Sequence, residues 1–488
     1  MLIKRICLLV MTVTLVAAQV ANAQTRSADI KVNAAAVLQT VSPTMFGINT
    51  AVWDSHLDEP YTIDRVRQMG VGILRFPGGS ASDGYHWADG LKGKDGKPIH
   101  PNFDDFAQVA KGVGAQAMIT VNYGSGTAAE AAAWVRYSNV TKHYGFRYWE
   151  VGNECYGSWE EDKHAIPHDP FTYATEAVKY ITAMKAEDPS IKIGVVVETG
   201  EDAYANNKDH SAVNPVTGAT HYGWTPVVLA TMKSLHVLPD FLIYHRYEQG
   251  PHRETDAGLL QAAKTWNSDA VNLETLKRDY LGKAGAGIQI VCTENNSVYS
   301  NPGKQTTSLV NALYLADSVG NLLKTPFRTW IWWDLRNGVD ASNNNAVNLY
   351  GWRPYGDYGV LQLDNDEYPT FYAFEMLTHF ARGGDKIVEA DSSSSLVGAF
   401  ACRQKKGNLA LLFINKSPNN IVQADVDIAG FAPAASAREF TYGISQDNAA
   451  RTGRGDRSIS RTVLPSVGRQ FTMSLSPYSL TVLVLRAH

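Results

Sequence analysis

The sequence predicts an α/β protein: a (β/α)8 TIM barrel with a C-terminal antiparallel β-sandwich domain. Three observations carry this. Between about residues 42 and 335, eight short apolar runs alternate with helix-period segments. Those runs are near-continuous in apolar residues, as strands covered on both faces are. After about residue 375 the pattern changes to alternating strands divided by Gly, Pro, Asn and Ser turns, which suits a two-layer antiparallel domain. A chain of 488 residues exceeds one ordinary domain, so a large unit plus a smaller one is expected.

Residues 1–23 read as a signal peptide. Lys4 and Arg5 precede the apolar stretch "ICLLVMTVTLVAA", and Ala21-Asn22-Ala23 supplies small residues for cleavage near Ala23. The mature protein is then expected to be secreted or periplasmic, the alternative being an uncleaved anchor. No later segment approaches the eighteen apolar residues of a membrane span, so no membrane is expected in the mature form. Residues 24–41 contain "ADIKVNA", which offers a strand to the sandwich.

Residues 42–374 are assigned to the barrel. The strands are "TMFGINTAV", "GILRFPGG", "AQAMITVNYG", "FRYWEVGNE", "IKIGVVVE", "DFLIYHRY", "GIQIVCTENN" and "RTWIWWDL". Between them "TIDRVRQMGV", "FDDFAQVAKGVG", "AAEAAAWVRYSNVTKHYG", "TYATEAVKYITAMKAEDP", "TPVVLATMKSLHV", "NLETLKRDYLGKAG" and "SLVNALYLADSVGNLL" carry helical spacing. Alternation of this kind gives a parallel sheet, and eight repeats suit a closed barrel. An open doubly wound sheet would want a G-x-G-x-x-G turn after the first strand, and "FGINTAVWD" has none. Residues 375–488 form the sandwich, with "SLVGAFACRQ", "NLALLFINKS", "NIVQADVDIAGF", "REFTYGI" and "QFTMSLSPYSLTVLVLRA" as strands. The Arg/Gly-rich segment Ala449 to Ser460 reads as a loop.

Composition narrows the partners. A formal net charge of −4 gives no basic field for nucleic acid. Eleven Trp and 23 Tyr suit the faces of sugars as well as a core. The four cysteines, Cys7, Cys155, Cys292 and Cys402, have neither metal-ligand spacing nor a disulfide framework. Cys155 and Cys292 would lie near each other in the barrel, as two buried thiols or as a bridge.

In such barrels, reactive side chains stand at the C-terminal ends of strands. Those ends are Asn49, Arg75, Asn122, Glu154, Glu198, His245-Arg246-Tyr247, Glu294 and Trp333-Asp334. Glu154 and Glu294, remote in sequence, would share one mouth. Paired carboxylates across a pocket are what glycoside cleavage needs: one protonates the departing oxygen, the other attacks the anomeric carbon or activates water. The acid must hold its proton near neutral pH, and Trp149, Tyr156 and Trp159 offer an apolar wall to raise its pKa. No metal and no organic cofactor is implied. The expected partner is a carbohydrate.

"VGNE" after the fourth strand and "CTENN" after the seventh resemble the acid/base and nucleophile segments of the clan A glycoside hydrolases, which retain configuration. "LRFPGGSASDGYHW" resembles the R-x-P-G-G segment of the family 51 α-L-arabinofuranosidases, and "YHRY" the clan's H-x-Y. Families 39 and 79 share the two-glutamate layout more distantly. The resemblance makes Glu154 the acid/base and Glu294 the nucleophile. Asn153 would bind the sugar hydroxyl beside the reacting carbon, Tyr247 would hold the nucleophile, and Arg75 would keep it ionised. Asn122, His245, Trp333 and Trp53 complete the substrate-binding candidates. Ser80 stands where family 51 has Asn, and "FGINTAVW" lacks that family's sugar-binding Glu.

Each assignment has a plainer rival. The two glutamates could be a salt-bridged pair at the rim, Arg75 a structural ion pair, His245 a core histidine, Tyr247 and the Trp residues core packing, and Asn122 without a role in the site, while Glu198 reads as a group that caps or pairs. Gly78 and Gly79 read as turn devices, and Asp334 as a partner for Arg336. Strand alternation allows only one of Trp332 and Trp333 to face the mouth. The insertion "TGEDAYANNKDHSAVNPVTGATHYGW" offers a cleft wall. The function read from the sequence is a secreted retaining O-glycosidase acting on plant-type polysaccharide or oligosaccharide, arabinofuranosidase-like first. The alternatives are a β-linked xylan, glucan or uronide glycosidase, a non-catalytic carbohydrate-binding protein, or a structural surface protein.

Overall fold

The computed structural model describes residues 26–90, 100–342 and 344–488. The expected signal peptide, residues 1–23, lies outside them. No described helix is long and apolar enough to cross a membrane.

The first element, β1 (Arg26–Thr40), belongs to the second domain. The barrel strands follow: β2 (Phe46–Asn49), β3 (Ile73–Phe76), β4 (Gln116–Val121), β5 (Tyr148–Val151) and β6 (Lys192–Val196). A short hairpin, β7 (Ala212–Val213) and β8 (Thr220–His221), interrupts them. Then come β9 (Phe241–Gln249), β10 (Gln289–Val298) and β11 (Trp330–Trp332). These eight close in the order β10-β11-β2-β3-β4-β5-β6-β9, every pair parallel. Six lie inside strand segments read from the sequence, while β9 and β10 run two residues past theirs, to Gln249 and Val298.

The helices are α1 (Pro60–Met69), α2 (Phe103–Val113), α3 (Ala128–Val135), α4 (Pro170–Glu187), α5 (Trp224–Ser234), α6 (Asp256–Ala262), α7 (Trp266–Leu281), α8 (Leu309–Leu322) and α9 (Pro369–Phe380). Their ends follow local chemistry. Pro60 opens α1 at a position that needs no N–H, and Gly70 closes it in the left-handed region. Asn102 and Asp105 form a reciprocal capping box on α2. The predicted helix over 128–145 is shorter: α3 passes into a π-helical turn, Arg136–Thr141. The predicted segments do not include α6 or α9, and α9 runs across the expected boundary at 374/375.

The second domain is a nine-stranded sheet: β12 (Lys386–Ser392), β13 (Val397–Arg403), β14 (Leu409–Asn415), β15 (Val422–Ala429), β16 (Pro433–Gly443), β17 (Ser460–Pro465), β18 (Gln470–Leu475) and β19 (Ser479–Ala487) join β1. The order is β17-β16-β19-β14-β13-β12-β1-β15-β18. All pairs are antiparallel except β1 with β15. Leu483 and Leu485 of β19 share a core with Val426 and Ile428 of β15. The sheet therefore folds over itself into two layers, as the sandwich reading expects. Strand β1 buries Ala28, Ile30, Val32 and Ala34 in that core, alternating with exposed residues. The helix α10 (Ile444–Thr452) overlaps the segment read as a loop. Its start is fixed by Gln446, whose side chain accepts the Gly443 N–H.

The sheet docks on the barrel through α8 and α9. Phe400, Leu412, Phe440 and Val482 belong to the same core as the barrel and its helices. A buried ion pair, Lys416 to Asp317 at 2.5 Å, pins the junction. Breaking such a pair by removing one partner typically costs about 3–5 kcal/mol, because the other charge stays buried.

Candidate active site

The barrel brings Glu154 and Glu294 to one cavity of about 1070 Å³. Glu294 sits within β10 and is 5% exposed. Its two oxygens are held from different sides: Arg75 Nη1 donates to Oε1 at 2.7 Å, and the Tyr247 hydroxyl donates to Oε2 at 2.6 Å. Burial and the neighbouring Glu294 raise the Tyr247 phenol well above its ordinary value, so it stays a donor.

Arg75, on β3, is fully buried beneath the cavity. Its Nε donates to Glu150 at 2.6 Å, its Nη1 also to Asn49 Oδ1 at 3.0 Å, and its Nη2 to Asn153 Oδ1 at 2.8 Å. One guanidinium thus fixes the nucleophile candidate, the Asn153 amide and the floor of the site. Glu150 also accepts from Thr120 Oγ1 at 2.6 Å. Its signal was present in sequence, since a lone acid inside the apolar run "YWEV" must have a buried partner.

Glu154 follows β5 in a turn where its own φ is +37°. Its side chain is 17% exposed. Trp159 Nε1 donates to Oε2 at 2.8 Å, the Tyr156 hydroxyl to Oε1 at 3.3 Å, and His245 Nδ1 lies 2.9 Å from Oε1. Burial alone would raise this carboxyl. The His245 bond and charge, with the two aromatic donors, bring it below its ordinary value instead. This corrects the expectation of an apolar wall. Tyr156 and Trp159 offer Glu154 their O–H and N–H, and Trp149 lies in the barrel core. His245 shows the converse: burial would lower it, yet Glu294 and Glu154 raise it above its ordinary value. Its Nε2 lies 3.0 Å from Thr293 Oγ1. The carboxylate of Glu154 and the protonated ring of His245 thus favour each other.

A second acidic pair holds the other end of the Asn153 amide. Asn153 Nδ2 and Ser80 Oγ both donate to Glu160 Oε1, at 3.0 and 2.9 Å. Burial and Glu160 push Asp83 up to about 10, so Asp83 carries the proton of that pair. Sequence reading missed both acids; Glu160 lies six residues past Glu154, in a loop with no periodic signal.

Trp333 lines the cavity and Trp332 is buried, as the alternation required. Trp53 is 40% exposed and stands beside Trp333, ring centroids 6.2 Å apart, outside the cavity lining. A Cβ on Gly79 would lie 2.7 Å from the Trp333 ring, and its φ is +50°, so this turn requires glycine. Asn122 is not brought to the cavity. Its Oδ1 accepts the Ser125 and Gly126 N–H groups and closes its own turn. Arg336 pairs with Asp54 at 2.8 Å, not with Asp334, whose carboxyl is buried and raised by desolvation. The three described cysteines are free and buried, so Cys155 and Cys292 are not bridged.

Among the described residues, the cluster with metal-ligand spacing is Glu154, His245 and Glu294, whose ligand atoms all lie within 4.8 Å of one another. Arg75 and Tyr247 already occupy both oxygens of Glu294, which argues for a proton-handling site over a cation site.

A closed parallel barrel with glutamates facing one cavity from its fourth and seventh strands resembles the arrangement of the clan A glycoside hydrolases. Within that class the chain resembles the family 51 α-L-arabinofuranosidases. No family model matches the chain. A probable α-L-arabinofuranosidase C of Aspergillus fumigatus is 29% identical over 171 residues, 30% of this chain and 32% of the relative. An intracellular exo-α-(1→5)-L-arabinofuranosidase of Acetivibrio thermocellus is 27% identical over 167 residues, 29% and 32% of the two chains. The chain thus spans about a third of the length of the curated relatives it matches. In fold the likeness is wider. The arabinose complex of the Thermotoga maritima α-L-arabinofuranosidase superposes with a TM-score of 0.71 at 18% identity, covering 94% of this chain and 99% of that one. A Paenibacillus polymyxa family 44 xyloglucanase gives 0.68 at 14% identity, covering 95% and 100%.

Proposed function

We propose that this protein is a retaining glycoside hydrolase acting on plant-type polysaccharide or oligosaccharide, of arabinofuranosidase type first, and that it is exported by its N-terminal segment. The observation that carries this is the closeness of the two carboxylates, an oxygen of each within 4.8 Å. Retaining enzymes hold their carboxyl groups about 5–5.5 Å apart, whereas inverting ones leave about 6.5–9.5 Å for a water.

Glu294 attacks the anomeric carbon while Glu154 gives the glycosidic oxygen the proton it shares with His245. A covalent glycosyl-enzyme forms and the leaving sugar departs. Glu154, now a carboxylate, takes a proton from water, which releases the glycosyl group from Glu294. As Glu294 loses charge to the forming bond, Arg75 keeps Glu150 and the Asn153 amide as partners. Asn153, fixed from both ends, faces the sugar without reorganising.

Ser80 favours a second reading of the substrate, a β-linked glucan, xylan or uronide. It donates to Glu160 where the family 51 pattern has a sugar-reading Asn, and a bifunctional glucanase-xylanase, CelM2, superposes at a TM-score of 0.67 with 17% identity. Glu294→Ala should abolish turnover of aryl glycosides, and azide should restore product of opposite configuration. Release from the arabinofuranoside alone supports the first substrate reading; release from xyloside, glucoside or uronide supports the second. Undiminished turnover in Glu294→Ala rejects the mechanism, and sugar affinity without turnover in the wild type would mark a binding protein.

A further inference from the structure

The cavity is larger than one sugar needs. At about 1070 Å³ it reaches the upper end of the roughly 300–1,000 Å³ that holds a whole drug-sized ligand. The acid must face the departing oxygen, so the leaving group lies beyond Glu154, on the side away from Glu294. That side is not bare. We propose that Trp159, Tyr204 and Glu198 form a leaving-group subsite that stacks a pyranose ring of an oligosaccharide and reads one of its hydroxyls. This rests on the glycosidase reading of the same site.

The wall begins at the acid itself. The Trp159 indole donates to Glu154, yet the residue is 57% exposed. Tyr204 is 38% exposed, packs on Tyr156 at a tilt of 33° with centroids 4.4 Å apart, and meets Trp159 edge-on at 6.2 Å. Large rings left in water side by side, inside a concave surface, mark a binding face. A pyranose offers such rings a broad C–H face, and a protein ring can cover it at little conformational cost.

The rings are held in place. Tyr204 belongs to the long connection between β6 and α5, the insertion read from the sequence as a cleft wall. Asn206 Nδ2 ties that connection to the Tyr156 and His168 carbonyls at 2.7 and 3.0 Å, and the Trp224 N–H donates to Ala203 at 2.8 Å. A Cβ on Gly157 would lie 2.3 Å from the Trp159 indole, so the backbone packs directly against that ring.

Glu198, at the end of β6, lines the same cavity. Its Oε2 accepts a 3.3 Å bond from the Thr199 N–H. Burial pushes its pKa up to about 7, so near neutrality it can donate to or accept from a hydroxyl. A site built around such a hydroxyl discriminates strongly against ligands that lack it.

The test compares two substrates of the same cleaved sugar. One is an oligosaccharide with a xylan-type leaving group, the other the glycosyl fluoride, whose leaving group is too small to reach the wall. In Tyr204→Ala the ratio of kcat/KM, oligosaccharide over fluoride, should fall about tenfold, the size of a lost stacking contact. An unchanged ratio overturns the proposal. If the wild type hydrolyses neither substrate, the glycosidase reading fails and the subsite is read by binding alone. A xylo-oligosaccharide is then titrated into Glu294→Ala, with Trp fluorescence as signal. An affinity about tenfold weaker once Tyr204→Ala is added supports the subsite, and an unchanged affinity overturns it. Matching thermal transitions separate either result from misfolding.

Discussion

Glu198 costs the fold stability at high pH, and the cost is large enough to measure. Its carboxyl is pushed up to about 7 by burial, partly offset by the Tyr156 hydroxyl and reinforced by the Glu154 charge. In the unfolded chain it titrates near its ordinary 4.5. Between those values the folded protein holds a proton that the unfolded chain has released. Stability therefore falls as pH rises through this window, and the whole penalty is present above it. The gap between 4.5 and about 7 corresponds to about 3 kcal/mol; water reaching the open cleft reduces this to about 1–3 kcal/mol. Glu198→Gln keeps the shape and removes the charge. Melting of the variant should match wild type at pH 4 and exceed it by about 2–4 °C at pH 8, since about 1 kcal/mol is worth a few degrees or less in a chain this long. Differential scanning calorimetry across pH 4–8 reads the result. A difference that is the same at every pH would refute the reasoning, because a lost contact would not follow the titration.

Two further outcomes follow from the geometry around Glu154. Gly157→Ala places a Cβ 2.3 Å from the Trp159 indole and displaces its N–H from Glu154; losing a charge-assisted bond of about 1.5–3 kcal/mol should lower kcat/KM about ten- to a hundredfold. Steady-state kinetics on an aryl glycoside checks this, and an unchanged kcat/KM would show that the indole does not position the acid. His245→Asn removes the cation that shares the Glu154 proton. In wild type, activity should fall on the alkaline side as the raised His245 value is passed. In the variant Glu154 holds the proton alone, so the fall should move to lower pH. A pH profile of kcat/KM with the same alkaline limb in both proteins would remove His245 from the proton-sharing role.

The barrel was legible because its strands are apolar on both faces and its helices are not, a contrast that survives in a single sequence. Six strand segments contained their observed strands whole, and β9 and β10 each ran on two residues further. The glutamates were legible from position, since strand ends are where such a barrel exposes chemistry. What failed to show was the direction in which side chains point. Asn122 stands at a strand end like Glu154, but two loop N–H groups claim its oxygen. Trp149 and Trp159 flank Glu154 in sequence, yet one enters the core and the other turns its N–H to the acid. Asp334 lies nearer Arg336 in sequence than Asp54 does, but Arg336 meets Asp54 across the fold. Sequence neighbours compete with partners that only folding supplies. The helix α10 escaped notice because Ala449, one of the few apolar residues in "ISQDNAART", is too little to set a period.

Strand β1 lies in the interior of the nine-stranded sheet, between β12 and β15. The antiparallel partners β15 and β18 join the hydrogen-bonded ladder of that sheet through β1. The earliest described segment of the polypeptide is thus a keystone for the latest. Synthesis runs from one end to the other, so β1 must wait, unpaired, until several hundred further residues have emerged. Removing the fifteen residues of β1 would cut the ladder link of two strands at a stroke, however intact the barrel remained. Any fusion or trimming at the amino end should be judged first by whether it leaves Ala28 to Ala34 free to slot into place.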